Sequence, residues 1–310
     1  MTEIELVCTE IAPALDLLRS AGFRLDLVYP ADSPHTAVLA KDGSTLRLTS
    51  RPGTQLAEEL APFKPEFVVT RASEDSGAGR AGMLYRDLIP SRLGGRYIAS
   101  HIRIPAGGPV SDWVHYHLVR FQMIYVRSGW VRVVYEDQGE PFVMEAGDLV
   151  LQPPGIRHRV LESSPGLEVV EVSCPALHPT FADHEMELPN GLGDPKRTYS
   201  GQRFLRHVAS RTSWTWFSSG EAQETGIHEA TGGIAEVRTI RAAGAPLVFP
   251  RHDGELVFGF VLSGTARLDS HGDHPLAPSD SFVIPPGEQW AVADASDDFR
   301  LLQVGTATLD

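Results

Sequence analysis

The chain has 310 residues, of which 42% are hydrophobic and 22% are charged, and its formal net charge is −13. This length predicts two or three domains of a globular protein, and no apolar run reaches the roughly 20 residues that a membrane span requires. The acidic balance, without a cluster of Lys and Arg, argues against nucleic acid and anionic membranes as partners. Two cysteines cannot form a disulfide framework. Together with an N-terminus that lacks the layout of a secretory signal, they predict a cytoplasmic protein.

Residues 1–70 predict a small α/β module. A short apolar run precedes Ile11, Leu15 and Leu18, which recur at helical spacing, and Gly22 stands where a helix cap is expected. Three further apolar runs complete a β-α-β-β-β order. This order resembles one half of a glyoxalase-like (vicinal oxygen chelate) unit. None of its strands carries a metal-ligating side chain at a convincing inward position, so we interpret the module as a structural or oligomerisation element.

Residues 71–94 predict a linker, because their first half is small, polar and rich in glycine. Gly77, Gly79 and Gly82 happen to spell G-x-G-x-x-G. A dinucleotide-binding loop must lie between a strand and a helix. Here an acidic stretch precedes the glycines and Pro90 interrupts the segment after them, so the motif does not predict a cofactor site.

Residues 95–178 predict a series of short β-strands separated by turn residues, with no helical periodicity. His115 and His117 are one residue apart, so on a strand both imidazoles lie on the same face. Gln122 follows five residues later, and a Pro-Pro-Gly turn leads to His158. Imidazoles and an amide oxygen at such spacing are candidates for a metal site.

These residues resemble the two sequence motifs of the cupin superfamily. The first motif reads G-x5-H-x-H-x(3–4)-E-x6-G and ends here at Gly129, and the second reads G-x5-P-x-G-x2-H and starts here at Gly147. The chain departs from the pattern at Gln122, where most cupins have glutamate. The resemblance implies a double-stranded β-helix (jelly-roll) barrel with a metal site formed by His115, His117, Gln122 and His158.

A connector over residues 179–225 leads to a second series of short strands over residues 226–310. The second series repeats the first: the aligned segments are Phe258–Gly264 with Met123–Gly129, and Asp280–Gly287 with Asp148–Gly155. The chain therefore resembles a bicupin. The expected fold is mainly β, with two tandem cupin barrels and the small N-terminal α/β module.

The second copy lacks the ligand set. At the four corresponding positions it carries Pro250, His252, Val257 and Trp290. One histidine does not hold a metal against water, so we expect a degenerate site there and one divalent metal ion per chain. In the connector, His178, His184 and Glu185 lie in a proline-bearing stretch without a strand or helix period, and we interpret them as surface residues.

The ligand set of the first copy favours Fe, Mn, Zn or Ni, and it leaves one or two coordination positions of the metal open for water and substrate. The neutral amide of Gln122 leaves the full +2 charge on the metal, which favours Lewis-acid chemistry over redox cycling with O2. The resemblance implies a metal-dependent enzyme that acts on a small oxygen-chelating organic substrate, either dioxygenase-like or lyase-, cyclase- or isomerase-like. The alternatives are a non-catalytic metal- or ligand-binding bicupin, such as a sensor, and a vestigial barrel without metal. The sequence leaves open the substrate, the metal and whether the chain forms a homodimer.

Overall fold

A computed structural model of the protein describes residues 3–54, 56, 59–72, 77–78, 83–194 and 196–309. The described chain is mainly β, as predicted, and its α-helices are α1 (Ile11–Ser20) and α2 (Ile227–Thr231), with short 3-10 helices at Arg92–Gly94 and Ala209–Arg211. No helix among these residues is long and apolar enough to cross a membrane. Gly79 and Gly82 of the glycine motif lie outside the described residues.

The N-terminal module has the predicted β-α-β-β-β order. Its strands are β1 (Glu3–Val7), β2 (Arg24–Tyr29), β3 (Thr36–Lys41) and β4 (Ser44–Thr49). The next strand of the chain, β5 (Val68–Thr70), joins a sheet of the second barrel instead. β1 pairs with β4 in parallel, and the other strand pairs of the module are antiparallel. The apolar face of α1, formed by Ile11, Leu15 and Leu18, packs on a core that includes Leu39 and Leu48, which is the helical spacing seen in the sequence.

In the described part of the chain, thirteen short strands form the first barrel. They are β6 (Gly77–Ala78), β7 (Leu84–Asp87), β8 (Ile98–Ile104), β9 (Gly108–Pro109), β10 (His115–His117), β11 (Phe121–Ser128), β12 (Trp130–Tyr135), β13 (Phe142–Glu145), β14 (Leu149–Leu151), β15 (His158–Ser163), β16 (Leu167–Cys174), β17 (Thr180–Ala182) and β18 (Leu205–His207). One sheet has the order β17-β10-β15-β12-β13, with β9 paired to β15, and the other has the order β18-β14-β11-β16-β8-β7-β6.

The N-terminal sheet continues into the first barrel. β2 pairs with β17, and β17 pairs with β10, the strand of His115 and His117. The stretches predicted as linker and connector thus contribute strands to the barrels. The linker contains β6 and β7, and the connector contains β17, β18 and two strands of the second barrel, β19 (Thr215–Phe217) and β20 (Gly220–Glu224). These strands have only two to five residues, which is too short to show a sequence period of two clearly.

The second barrel has two sheets, with the orders β19-β20-β21-β28-β23-β26-β5 and β22-β27-β24-β25. Its strands are β19 (Thr215–Phe217), β20 (Gly220–Glu224), β21 (Ala235–Ala242), β22 (Leu247–Phe249), β23 (Leu256–Ser263), β24 (Ala266–Asp269), β25 (Asp273–Leu276), β26 (Ser281–Ile284), β27 (Trp290–Ala293) and β28 (Arg300–Thr306).

The two barrels pack against each other and share one hydrophobic core. Strand alternation sends Phe121 and Met123 of β11, with Phe258 and Phe260 of β23, into this shared core. The residues between them face the interiors of their own barrels, as Gln122 does at the wall of the first. The same alternation therefore serves both barrel packing and the candidate site.

Hydrogen bonds at equivalent turns confirm the internal repeat. The backbone N–H of Gly155 donates to the carbonyl of His117 at 2.8 Å, and that of Gly287 donates to the carbonyl of His252 at 2.8 Å. Both glycines have a positive φ, 79° and 81°, a conformation that side chains with a Cβ rarely adopt. The two turns are the same structure, so His252 is the counterpart of His117.

Candidate metal centre

Two neighbouring strands bring the three predicted histidines together. His115 and His117 lie on β10, and His158 begins β15 directly opposite His115 in the antiparallel ladder. All three side chains are buried, and one potential ligand atom of each lies within 4.8 Å of the other two. Tyr116, between the first two, instead stacks on Phe181 with ring centroids 5.1 Å apart. The period of two along the strand therefore gathers the imidazoles on one face.

Each of these histidines is anchored through Nδ1. The partners of His115, His158 and His117 are, in turn, the carbonyl of Trp113 at 2.8 Å, the carbonyl of Ile156 at 3.0 Å and the hydroxyl of Thr180 at 3.3 Å. Because a carbonyl only accepts, the first two Nδ1 atoms carry the hydrogen and the lone pairs reside on Nε2. Anchored rings that offer Nε2 are the arrangement that metal-binding histidines adopt, so the three residues fit a divalent ion.

Gln122 lies at the wall of the same cavity as the three histidines, and its side chain is buried. Its Nε2 donates to Oε1 of Glu171 at 3.1 Å, and the hydroxyl of Ser173 donates to that oxygen at 3.1 Å. A carboxylate only accepts hydrogen bonds, so the amide nitrogen is committed to Glu171. The carbonyl oxygen Oε1 is the atom of Gln122 that remains for a metal.

Glu171 changes the charge that the sequence predicted for the site. The amide of Gln122 alone would leave a divalent ion with its full +2, but the carboxylate in contact with that amide adds one negative charge. Sequence reasoning missed Glu171, although β16 carried a signal. Leu167 and Val169 line the cavity, and Glu171 follows at the next position of the same alternating face.

The cavity that contains the site has a volume of about 120 Å³ and a mostly aliphatic wall. Apart from the residues above, its polar groups are Tyr85, Tyr135 and Gln152. The Tyr85 hydroxyl donates to the sulfur of Met83 at 3.6 Å, and Nε2 of Gln152 donates to the Tyr135 hydroxyl at 2.8 Å. Burial raises the pKa of Tyr135 well above its usual value, so the phenol is neutral. Among the described residues that line the cavity, none is Lys or Arg. The aliphatic wall includes Ile102, Ile124, Val131, Val133, Val160 and Val169.

The second barrel holds a stacked aromatic pair at the corresponding place. Phe249 lies opposite Trp290 in the β22–β27 ladder, as His115 lies opposite His158, and the two rings stack with centroids 3.7 Å apart. The sequence alignment assigned this place to Pro250. That assignment was wrong by one residue. Phe249 lies three residues before His252, whereas His115 lies two residues before His117, so the second copy has one extra residue here.

His252 and Glu255 do not converge on a common point. Nε2 of His252 lies 3.0 Å from the carbonyl of Ile284, to which it donates. Glu255 instead forms an ion pair with Arg96 at 2.7 Å and accepts a hydrogen bond from the Tyr97 hydroxyl at 3.0 Å. Both the acidic and the imidazole side chain at this end of the second barrel therefore have structural partners.

The connector residues divide into two groups. His184 and Glu185 are exposed, as expected, but His178 is only 3% exposed. The ring of His178 lies edge-on to His117, with centroids 5.3 Å apart, and its Nδ1 donates to the carbonyl of Pro175 at 2.9 Å. The surface interpretation was wrong for His178, because its burial comes from tertiary packing that a segment without periodicity does not reveal.

Known proteins share this architecture. Residues 100–172, which include all four predicted ligands, match the family described as "Cupin domain". Among curated proteins, none matches the chain. The structure is similar to YlbA from E. coli, with a TM-score of 0.57, 11% identity and coverage of 81% of this chain and 95% of that one. It is also similar to oxalate decarboxylase from Bacillus subtilis, with a TM-score of 0.56, 12% identity and coverage of 84% and 80%.

The fold and the site define a protein of two tandem β-barrels in which the first holds a buried group of three histidines. At 11 and 12% identity, the likeness to the solved structures concerns the fold alone. Residues 100–172 form a cupin domain, as the two motifs predicted, and the chain has the fold of a bicupin.

Proposed function

We propose that the first barrel is the active site of a metal-dependent enzyme that acts on a small organic substrate which chelates the metal through oxygen. The metal is one divalent ion per chain, and its ligands are His115, His117, Gln122 and His158. The observation that carries this proposal is the convergence of three anchored, buried histidines at the wall of one cavity. Fe, Mn, Zn and Ni all suit this donor set. Bacillus subtilis oxalate decarboxylase, which shares the fold, has Mn(II) centres, which supports a metal of this kind.

The bound metal would supply Lewis-acid polarisation of a substrate oxygen. The protein supplies the enclosure and the orientation. A cavity of about 120 Å³ is smaller than the roughly 300 Å³ at which typical ligand sites begin, so the substrate has few non-hydrogen atoms. The aliphatic wall packs against its carbon skeleton, and the neutral Tyr135 hydroxyl and the Glu171 carboxylate are polar groups of the wall that can orient its oxygens.

The two reaction classes left open by the sequence are separated by their need for O2. Protein loaded with Zn, Mn, Fe or Ni is incubated with a panel of small hydroxy-carbonyl and dicarbonyl compounds. Metal-dependent O2 uptake supports a dioxygenase, and solvent-deuterium exchange or product formation under nitrogen supports a lyase, cyclase or isomerase. His158→Ala is the matched control and should abolish either signal. Ligand-induced thermal stabilisation without any turnover would refute the enzyme and support a binding module.

A further inference from the structure

Glu171 offers one carboxylate oxygen to the interior of the cavity. Its Oε1 accepts hydrogen bonds from Gln122 and Ser173, both at 3.1 Å. Within the described ranges, no residue donates to its Oε2, although Glu171 lines the cavity. This oxygen is therefore the atom of Glu171 that can accept a hydrogen bond from a bound molecule.

The charges around the cavity set the charge of the ligand that fits it. No Lys or Arg belongs to the described cavity wall, so the positive charge available is that of the divalent metal in the proposed function. Together with Glu171, the ion leaves a net charge of +1. Uncompensated charge in an aliphatic enclosure is strongly unfavourable. One negative charge on the ligand neutralises the site, whereas two would leave an excess.

We propose that Glu171 makes this cavity selective for a chelating ligand that has one negative charge and a hydroxyl group, and against dicarboxylates. The selectivity rests on the proposed function, because the metal supplies the positive charge. The ligand hydroxyl donates to Oε2 of Glu171, and a second ligand carboxylate at the same place meets a like charge. Like charges that face each other without a counter-ion are a common means of rejecting a wrong ligand.

Glycolate and oxalate are matched probes of this selectivity. Both are two-carbon chelators through two oxygens, and they differ in that a hydroxymethyl group in glycolate replaces one carboxylate of oxalate. Their affinities are measured by calorimetry on Zn-loaded wild type and on Glu171→Gln, which keeps the shape and the acceptor for Gln122 but removes the charge. We expect the preference for glycolate over oxalate to fall by on the order of tenfold or more in the variant.

A carboxylate outside the barrel provides the control. Glu162 pairs with Arg132 at 3.0 Å, and Arg132 lies between Val131 and Val133, which line the cavity, so its side chain is on the opposite face. Glu162→Gln should leave the preference unchanged. Equal changes in both variants would overturn the proposal, because they would reflect the net charge of the protein and not the cavity.

Metal content is measured first, so that the two proposals fail in different ways. Wild-type protein that takes up no metal refutes the proposed function itself. Metal-loaded wild type and Glu171→Gln with the same glycolate-to-oxalate preference refute only the selectivity. If Glu171→Gln does not hold metal, Glu171→Asp provides the test, since it keeps the charge but withdraws the oxygen. That variant should still reject oxalate and bind glycolate about tenfold more weakly, and unchanged glycolate binding would overturn the proposal.

Discussion

Arg96 and Glu255 join the two barrels through a bidentate ion pair. The N···O distances are 2.8 and 2.7 Å, and the two side chains are 9% and 6% exposed. The Tyr97 hydroxyl donates to the same carboxylate at 3.0 Å. Glu255→Gln keeps the volume but leaves the guanidinium buried without its counter-charge. We expect the free energy of unfolding to fall by about 3–5 kcal/mol, the usual cost of removing one partner of a buried pair.

The assay is urea denaturation followed by tryptophan fluorescence, with metal content measured in parallel. Because the barrels share one core, a single cooperative transition is expected. Replacing both partners with apolar residues, in Arg96→Met/Glu255→Leu, should recover most of the loss. Glu162→Gln, which breaks an exposed pair with Arg132, should cost about 1 kcal/mol or less. A loss below about 1 kcal/mol in Glu255→Gln would contradict a buried, structural pair.

Two further predictions concern protons and the ligand amide. Burial lowers the pKa of His101 from 6.5 to about 4, so the unfolded chain binds a proton that the folded chain does not. The free energy of unfolding should therefore decrease as the pH falls from about 6.5 to about 4, by up to about 1.4 kcal/mol per pH unit. His101→Gln should flatten this slope in denaturation curves recorded across that range, and an unchanged slope would refute the assignment. Gln122→Glu places a second carboxylate against Glu171, so chelator competition should show no tighter Zn binding than in wild type. Gln122→Glu/Glu171→Gln should bind Zn more tightly, and tighter binding by the single variant would show that Glu171 does not oppose it.

Much of the first barrel could be predicted from the sequence, because strand periodicity is local. The one-residue spacing of His115 and His117 placed both rings on one face, and the Pro-Pro-Gly turn placed His158 at the end of the second motif. The strand that His158 begins was not predicted. The prediction that the three histidines meet is confirmed. The positive-φ glycines, such as Gly155 and Gly287, fixed the turns that define the repeat.

The remaining features depend on pairing between distant segments. β17 and β18 are three-residue strands. They are extended because β17 pairs with β2 and β10, and β18 pairs with β14. Glu171 reaches Gln122 diagonally, because the register of β11 and β16 puts Ser173 opposite Gln122. No single-strand pattern gives that register. The alignment of the two copies placed Pro250, instead of Phe249, at the position of His115. One inserted residue changes this correspondence without changing the strand pattern of either copy.

The metal content of the purified protein tests most directly whether the first barrel holds a metal ion. Elemental analysis of protein prepared without chelators, then incubated separately with Zn, Mn, Fe and Ni and dialysed, should show close to one equivalent per chain for at least one metal. His117→Ala/His158→Ala should lose the metal, and His252→Ala in the second barrel should retain it. Wild-type protein that takes up none of the four metals would contradict a metal centre in the first barrel. So would a His252→Ala variant that loses its metal while the double variant retains it.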